Sequence, residues 1–170
     1  PLPVDAPTYS MGLASTAVGE TPFAVFNNSA TTIFNEKQMG FGLSYGPWNQ
    51  ADGKWNTIGF GCYYNIDSKN GVVLGVKYST IKFDEVGGTG STTGTINPNY
   101  MQINAGYTRR FGNFSAALTA RYLSSKLTDD MSGNSFGADL GLYYNGVVPS
   151  FYGSKWGVGL NVGGLGTELD

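Results

Sequence analysis

The sequence contains no histidine, a single cysteine and little charge. Without histidine it lacks the usual general base and the commonest metal ligand. Cys62 has no second cysteine with which to form a disulfide within the chain. Charged residues make up 13%, about half the usual share. The net charge of -2, with no basic patch, gives no reason to expect a nucleic-acid partner. We therefore expect a non-enzymatic protein without catalytic residues, metal or cofactor.

Long hydrophobic runs are also missing. No stretch of about 18 apolar residues occurs, so the sequence excludes a transmembrane helix. Mean hydropathy is slightly negative, at -0.15. A transmembrane β-strand, however, needs only about 9–11 residues with alternate positions apolar, and averaging hides such strands. No signal peptide opens the sequence at Pro1, which predicts a mature or trimmed product.

The sequence is instead rich in glycine, with 26 residues, and in aromatic residues, at 14%. Between Trp156 and Gly163, Trp, Val, Leu and Val alternate with Gly, Gly, Asn and Gly. Successive strand side chains point to opposite faces, so one face is apolar and the other small or polar. This rhythm predicts seven strands, at 38–45, 55–66, 72–83, 100–110, 114–126, 135–145 and 155–164. The expected fold is all-β, an antiparallel up-and-down transmembrane β-barrel.

The predicted connections differ in length. Segments 67–71 and 111–113 read as tight hairpin turns, whereas 46–54, 84–99 and 127–134 are longer and polar. Short turns on the periplasmic side and long loops outside are typical of outer-membrane barrels. The connection 146–154 is longer than its place in this alternation predicts.

Residues 1–37 do not alternate and contain four prolines. We predict that they form an N-terminal segment that folds into the lumen or caps the periplasmic end, with a flexible leader as the alternative. Residues 38–170 would then supply the barrel strands.

The expected polar lumen set contains Lys77, Gln102, Asn104, Thr119, Arg121, Asp139 and Asn161. Arg121 and Asp139 fall on neighbouring strands and could lie level, either as a structural ion pair or as part of a pore constriction. Cys62 is expected on the lipid-facing side. Aromatic residues near strand ends predict an interfacial girdle of Tyr45, Trp48, Trp55, Tyr78, Tyr107, Tyr122, Tyr144 and Trp156.

Several motifs together resemble the PorV family of the type IX secretion system. They are Ser44-Tyr45-Gly46-Pro47-Trp48, Pro98-Asn99-Tyr100 with Gly106-Tyr107-Thr108-Arg109-Arg110-Phe111, Ala120 to Leu127, Ser135 to Asp139 with Tyr143-Tyr144-Asn145, and Asn161 to Gly166. The resemblance implies a barrel in the outer membrane of a Gram-negative bacterium of the Bacteroidetes. It implies an accessory that shuttles or docks proteins, with membrane lipid and a large translocon barrel or secreted cargo domains as partners.

The same resemblance implies roles for particular segments. Asn28-Ser29-Ala30 lies where relatives have Asn-Pro-Ala, with Ser29 in place of the proline, and this segment plugs the lumen in FadL-like barrels. Partner contacts are expected in the outer loops, at Asp84, Glu85, Asn97, Pro98, Asp129 and Asp130. The acidic pairs there are expected to be solvated rather than to bind calcium, because they lack a recognisable ligand spacing.

The family resemblance implies about fourteen strands, twice the number predicted here. We therefore expect the N-terminal half of a larger barrel, since an open edge in lipid leaves unpaired backbone groups. The alternative is a small eight-stranded barrel with part of 21–34 as the extra strand. The alternative function is a FadL-like channel for hydrophobic or small solutes. A catalytic barrel is disfavoured, because known barrel hydrolases depend on histidine.

Overall fold

The computed structural model describes residues 5–12, 14–19, 21–50, 53–86, 92–128, 131–148 and 154–166. Within these ranges the helices are short: α1 (Ala6–Ser10) and two 3₁₀ helices, Pro22–Phe26 and Ser29–Phe34. None of the described helices is long and apolar enough to cross a membrane.

All seven predicted strands are confirmed. They are β1 (Met39–Gln50), β2 (Gly53–Asn65), β3 (Asn70–Val86), β5 (Asn99–Phe111), β6 (Phe114–Thr128), β7 (Met131–Val148) and β8 (Ser154–Gly166). Each pairs antiparallel with the next in the order β1-β2-β3-β5-β6-β7-β8. The result is an up-and-down sheet that curls into a half-barrel. Among the described strands, β1 and β8 each pair along one edge only, which is compatible with a larger barrel.

The prediction of long loops is partly wrong, because the strands continue past the residues in which apolar and small side chains alternate. Strands β1, β2, β6 and β7 extend into the segments 46–54 and 127–134. Within 84–99, β3 continues to Val86 and pairs with an additional strand, β4 (Thr92–Ile96). Threonine and isoleucine favour extended backbone whether or not one face is apolar, so β4 carries no alternation signal.

The strands are tilted relative to the barrel axis. One register row begins at Met39, the first residue of β1, and passes through Tyr64, Val72, Tyr107, Leu118 and Leu140 to Val162. Val162 lies eight residues after Ser154, the first residue of β8. With about 3.3 Å per residue and about 4.8 Å between strands, this shift over six pairings gives a tilt of roughly 40°. Transmembrane barrels have strand tilts in this range.

The convex face of the sheet carries an exposed apolar band. Phe41 is 72% and Leu43 75% exposed, although both belong to β1 and lie opposite Cys62 and Phe60 of β2. Tyrosine hydroxyls bond to amide side chains at both borders of this band: Tyr45 to Asn56 (3.2 Å) and Tyr122 to Asn134 (3.0 Å) at one border, and Tyr64 to Gln38 (3.5 Å) at the other. Such an arrangement is typical of a lipid-facing surface with amphipathic rings at its two interfaces.

Residues 21–34, the part of the predicted N-terminal segment that contains both 3₁₀ helices, lie on the concave face. These two helices bury Ala24, Val25, Ala30, Thr31 and Thr32. Val25 packs with Tyr63 and Val73, which face inward from β2 and β3. The alternative of an eight-stranded barrel, with part of 21–34 as the extra strand, is wrong, because this stretch is helical and packs against the sheet. Its short 3₁₀ turns present no period that sequence patterning detects.

Candidate functional site

Inward-facing glycines form the seat of the N-terminal segment. A Cβ on Gly61 would lie 2.5 Å from the carbonyl oxygen of Pro22, and one on Gly75 would lie 2.5 Å from Cγ1 of Val25. On β8, a Cβ on Gly159 would collide with the carbonyl oxygen of Thr16. The small face of the alternation therefore lets the helical segment approach the sheet backbone closely.

Asn28 fastens the centre of this segment. Its Oδ1 accepts from the Ala30 amide (3.1 Å), which caps the second 3₁₀ helix. Its Nδ2 donates to the carbonyl oxygens of Thr16 (2.9 Å) and Leu142 (3.0 Å). One buried amide thus joins the segment to β7 and to an earlier part of the chain.

Three inward side chains of the sheet donate hydrogen bonds to backbone carbonyls of the segment. Asn104 Nδ2 donates to Val25 (3.0 Å), Thr108 Oγ1 to Ser29 (3.1 Å) and Ser115 Oγ to Ala30 (2.6 Å). All three are 0% exposed. They satisfy carbonyls that the short helices leave open, which fixes the position of the segment.

The hydroxyl of Ser29 forms a further contact, 2.9 Å from Oγ1 of Thr119. Asn28, Ser29 and Ala30, the segment that the resemblance singles out, therefore lie against the concave face and are buried there. Sequence reasoning missed Thr108 and Ser115 as holding residues. Both residues could have been found from the sequence, because they alternate with the apolar residues of β5 and β6 and therefore point to the concave face.

The polar lumen set lies on the concave face. Lys77, Gln102, Asn104, Thr119 and Asp139 are buried, and Asn161 is half-buried. Gln102 Nε2 donates to Asn104 Oδ1 at 2.9 Å, so these two act together beside the N-terminal segment. Asn161 faces the same side from β8, opposite Gly141.

Arg121 and Asp139 form an ion pair between Nη2 and Oδ2. They do not lie level, because Asp139 is opposite Thr119 and Arg121 is opposite Gly137. The arginine reaches diagonally across. The second oxygen of Asp139 accepts from the Gly164 amide at 2.9 Å. Arg121 Nε is buried without a hydrogen-bond partner among the described residues.

A cavity of about 410 Å³ opens on the concave face on the long-loop side of the N-terminal segment. Polar and cationic residues line part of it: Lys77, Ser79, Gln102 and Arg121. The remaining lining is largely apolar and comes from Trp55, Ile81, Tyr100 and Leu123. Trp55 therefore faces the lumen, and its assignment to the lipid-facing girdle is wrong. Trp55 points to the same face of β2 as Thr57 and Tyr63. Its position near a strand end does not show which face it occupies.

The expected partner-contact residues fall in different environments. Asp84 and Glu85 belong to β3, opposite Thr95 and Gly94 of β4, and are not in a free loop. Asn97 and Pro98 form the short connection between β4 and β5. Asp129 and Asp130 lie outside the described residues. Across the described ranges, no group of three acidic, cysteine or histidine residues could hold a metal ion.

The sheet continues beyond the apolar band at the long-loop end. One register row there is polar and outward-facing on five strands: Asn56, Thr80, Asn99, Lys126 and Ser132. Beyond it lie Lys54 and Lys82, which are opposite each other and exposed. At the short-turn end the apolar band reaches the strand ends, with Phe111 and Phe114 flanking the turn. The long-loop end therefore projects beyond the apolar band, and the five residues of the polar row together with Lys54 and Lys82 form a polar wall there.

Comparison with known proteins agrees with this geometry. The family model described as type IX secretion system protein PorV matches residues 2–170. No curated protein matches the chain. An all-β half-barrel with an exposed apolar band on its convex face fits that family. The chain therefore belongs to the PorV family, outer-membrane proteins of the type IX secretion system.

Proposed function

We propose that this protein is a non-enzymatic accessory of type IX secretion that docks to the large translocon barrel or to secreted cargo domains through its long-loop end. The observation that carries the proposal is the polar wall: strands β2, β3, β5, β6 and β7 continue past the apolar band there. A spanning strand needs only about 9–11 residues, whereas β3 has 17 and β7 has 18.

The chemistry of the wall suits a water-exposed protein partner. Its outward residues are amides, hydroxyls and lysines, which are unsuited to lipid tails but suited to the polar rim of a transient interface. The acidic residues of the neighbouring segments, Asp84, Glu85, Asp129 and Asp130, add charge that can select a partner. Backbone pairing of β3 with β4 supports this region as a defined surface.

Site-specific photo-crosslinking in native membranes tests the docking role. With p-benzoylphenylalanine at Ser132, we expect crosslinks to a large outer-membrane barrel or to a secreted cargo domain, identified by mass spectrometry. The same group at Ser68, exposed in the opposite turn, is the control and should give none of these products. Absence of both partners at Ser132, or equal yields at Ser68, would overturn the proposal.

A second candidate function is passage or binding of a hydrophobic or small solute. The cavity beside Lys77 and Arg121, with its apolar wall at Trp55 and Leu123, favours this alternative. Uptake of a lipid into liposomes, combined with the absence of crosslinks at Ser132, would select this function over docking.

A further inference from the structure

Cationic side chains gather at the short-turn end of the half-barrel. Within the described ranges, this end carries Lys37, Lys69, Arg109, Arg110 and Lys155 against the acidic Glu36 and Asp67. Lys155 Nζ lies 3.8 Å from Glu36 Oε1. The Arg110 guanidinium lies 4.5 Å from the Phe34 ring centre, and its Nε donates to the Gly112 carbonyl. Lys37, Lys69 and Arg109 remain as exposed cations at this end, and Lys69, directly before β3, and Arg109, on β5, are the two that lie at adjoining strands.

The turn that carries Lys69 is held by its own side chains. Asp67 Oδ1 accepts from the amides of Lys69 (2.6 Å) and Asn70 (2.7 Å), and Asp67 Oδ2 accepts from Asn70 Nδ2 (2.8 Å). These bonds, led by that from the Asn70 side chain, hold the pKa of Asp67 below its ordinary value. The Asp67 carboxylate therefore accepts its hydrogen bonds within the turn, and these bonds fix the backbone from which the Lys69 side chain extends.

Arg109 lies beside this turn. Its register partner is Asn70, the residue after Lys69, and the Arg110 amide donates to the Lys69 carbonyl at 2.7 Å. Arg109 has the outward parity of Tyr107 and Phe111, and its guanidinium lies 5.7 Å from the Phe111 ring centre. The hydroxyl of Tyr107 donates to Asn70, which ties the two strands together at this level.

Aromatic rings mark this level as a membrane interface. Exposed rings of the convex face near the short-turn end belong to Tyr64, Tyr107, Phe111, Phe114, Tyr144 and Trp156. Such rings lie at the depth of lipid headgroups, where long basic side chains reach phosphate groups. At the opposite end, the row from Asn56 to Ser132 separates Lys54 and Lys82 from the apolar band. Among the described residues, the short-turn end brings two neighbouring exposed cations, Lys69 and Arg109, against the band, whereas Lys126 in the opposite row has the uncharged neighbours Asn99 and Ser132.

We propose that Lys69 and Arg109 form a binding site for the phosphate headgroup of an anionic phospholipid in the leaflet at the short-turn end. The planar guanidinium engages two phosphate oxygens, and the lysine ammonium adds a second charge from the preorganised turn. The acyl chains lie along the adjoining convex face at Val72 and Leu74, which are 40% and 42% exposed. This inference needs the membrane location of the family and goes beyond the proposed docking role.

Lipid retention tests the proposal. The full chain is reconstituted in phosphatidylcholine vesicles that contain a minor fraction of phosphatidylglycerol, and co-released lipid is identified by native mass spectrometry. Wild type should enrich phosphatidylglycerol. The double variant Lys69→Gln/Arg109→Gln should lose about tenfold of this enrichment, because each interfacial cation contributes roughly fivefold at most. Added salt should lower the wild-type enrichment.

The matched control is Lys54→Gln/Lys82→Gln, which removes the same charge from the opposite end. It should change the enrichment less than about twofold, because these lysines lie beyond the polar row. Unchanged enrichment in Lys69→Gln/Arg109→Gln, or equal loss in the control, would overturn the site. If the double variant does not fold, each single substitution should still lose about three- to fivefold. Crosslinking from Ser132 should be unaffected, which separates this result from the docking role.

Discussion

The charge of Asp139 is balanced beneath strand β8 by the Arg121 guanidinium. The aspartate side chain is 7% exposed and the arginine 22%. A Cβ at Gly163 would lie 2.6 Å from Asp139 Oδ1, so β8 covers the pair closely. The burial of Asp139 favours a structural role, in which the arginine neutralises the carboxylate while its exposed part lines the cavity.

Replacing Arg121 with alanine should therefore destabilise the protein by about 3 kcal/mol, because it leaves a buried carboxylate without its counter-charge. Thermal unfolding followed by circular dichroism measures this change. The double variant Arg121→Met/Asp139→Leu is the control and should recover much of the loss, because it removes both charges together. An Arg121→Ala protein as stable as wild type would rule out the structural role.

Sequence patterning placed Arg121 and Asp139 on one face because strand parity alone decides that. It did not give their diagonal offset, which depends on the register between β6 and β7. The lumen orientation of Trp55 was missed for a related reason. An aromatic residue near a strand end can occupy either face of the sheet. Only its alternation with respect to Thr57 shows that Trp55 is on the concave face.

At the scale of elements, the N-terminal segment and the sheet depend on each other. Gly61 is the clearest contact, because the atom opposite its missing Cβ is the backbone carbonyl of Pro22 rather than a flexible side chain. A methyl group there forces a backbone to move, and overpacking of this kind costs about 1–3 kcal/mol.

Gly61→Ala should consequently loosen the segment without dismantling the sheet. Hydrogen exchange at the amides of Ala24, Asn27 and Asn28, which are hydrogen-bonded in wild type, should accelerate by about tenfold or more. Gly46→Ala is the matched control, since nothing lies within 4 Å of the Cβ position there. Equal protection in Gly61→Ala and wild type would contradict this account of the seat.

The strands could be predicted from the sequence, whereas the helical conformation of residues 21–34 and their contacts with the sheet could not. Alternation of bulky and small residues is a local signal, so each of the seven strands was found from its own residues. The segment 21–34 is positioned by distant partners, such as Asn104 and Ser115, which are ordinary inward polar residues until the fold brings them together. Strand ends were also underestimated, because the polar wall near Asn56 and Ser132 lacks apolar alternation.

For the molecule as a whole, the convex band defines which surface meets lipid. Cys62 reports on this directly, because it is the single cysteine in the sequence and lies on the outward parity between Phe60 and Tyr64. Its surroundings are apolar on both neighbouring strands, with Phe41 and Leu74 opposite it.

In membranes, Cys62 should resist both a water-soluble and a lipophilic maleimide, because the polar reagent does not enter hydrocarbon and addition requires loss of the thiol proton, for which hydrocarbon supplies no acceptor. The variant Cys62→Ser/Ser132→Cys moves the thiol to the polar wall and should react with both reagents. Labelling is measured by intact mass. Rapid modification of wild type by the water-soluble reagent would place the convex face in water and refute the membrane assignment.

The Asn28 amide also constrains the order in which the molecule is assembled. Its bond to the Leu142 carbonyl joins residues 114 positions apart. Contacts so distant in sequence form late, because the chain between them must first be ordered. Although residues 21–34 are synthesised before the strands that follow them, the hydrogen bond from Asn28 to Leu142 can form only after β7 has paired with β6. Closure of the concave face is therefore a late step of folding.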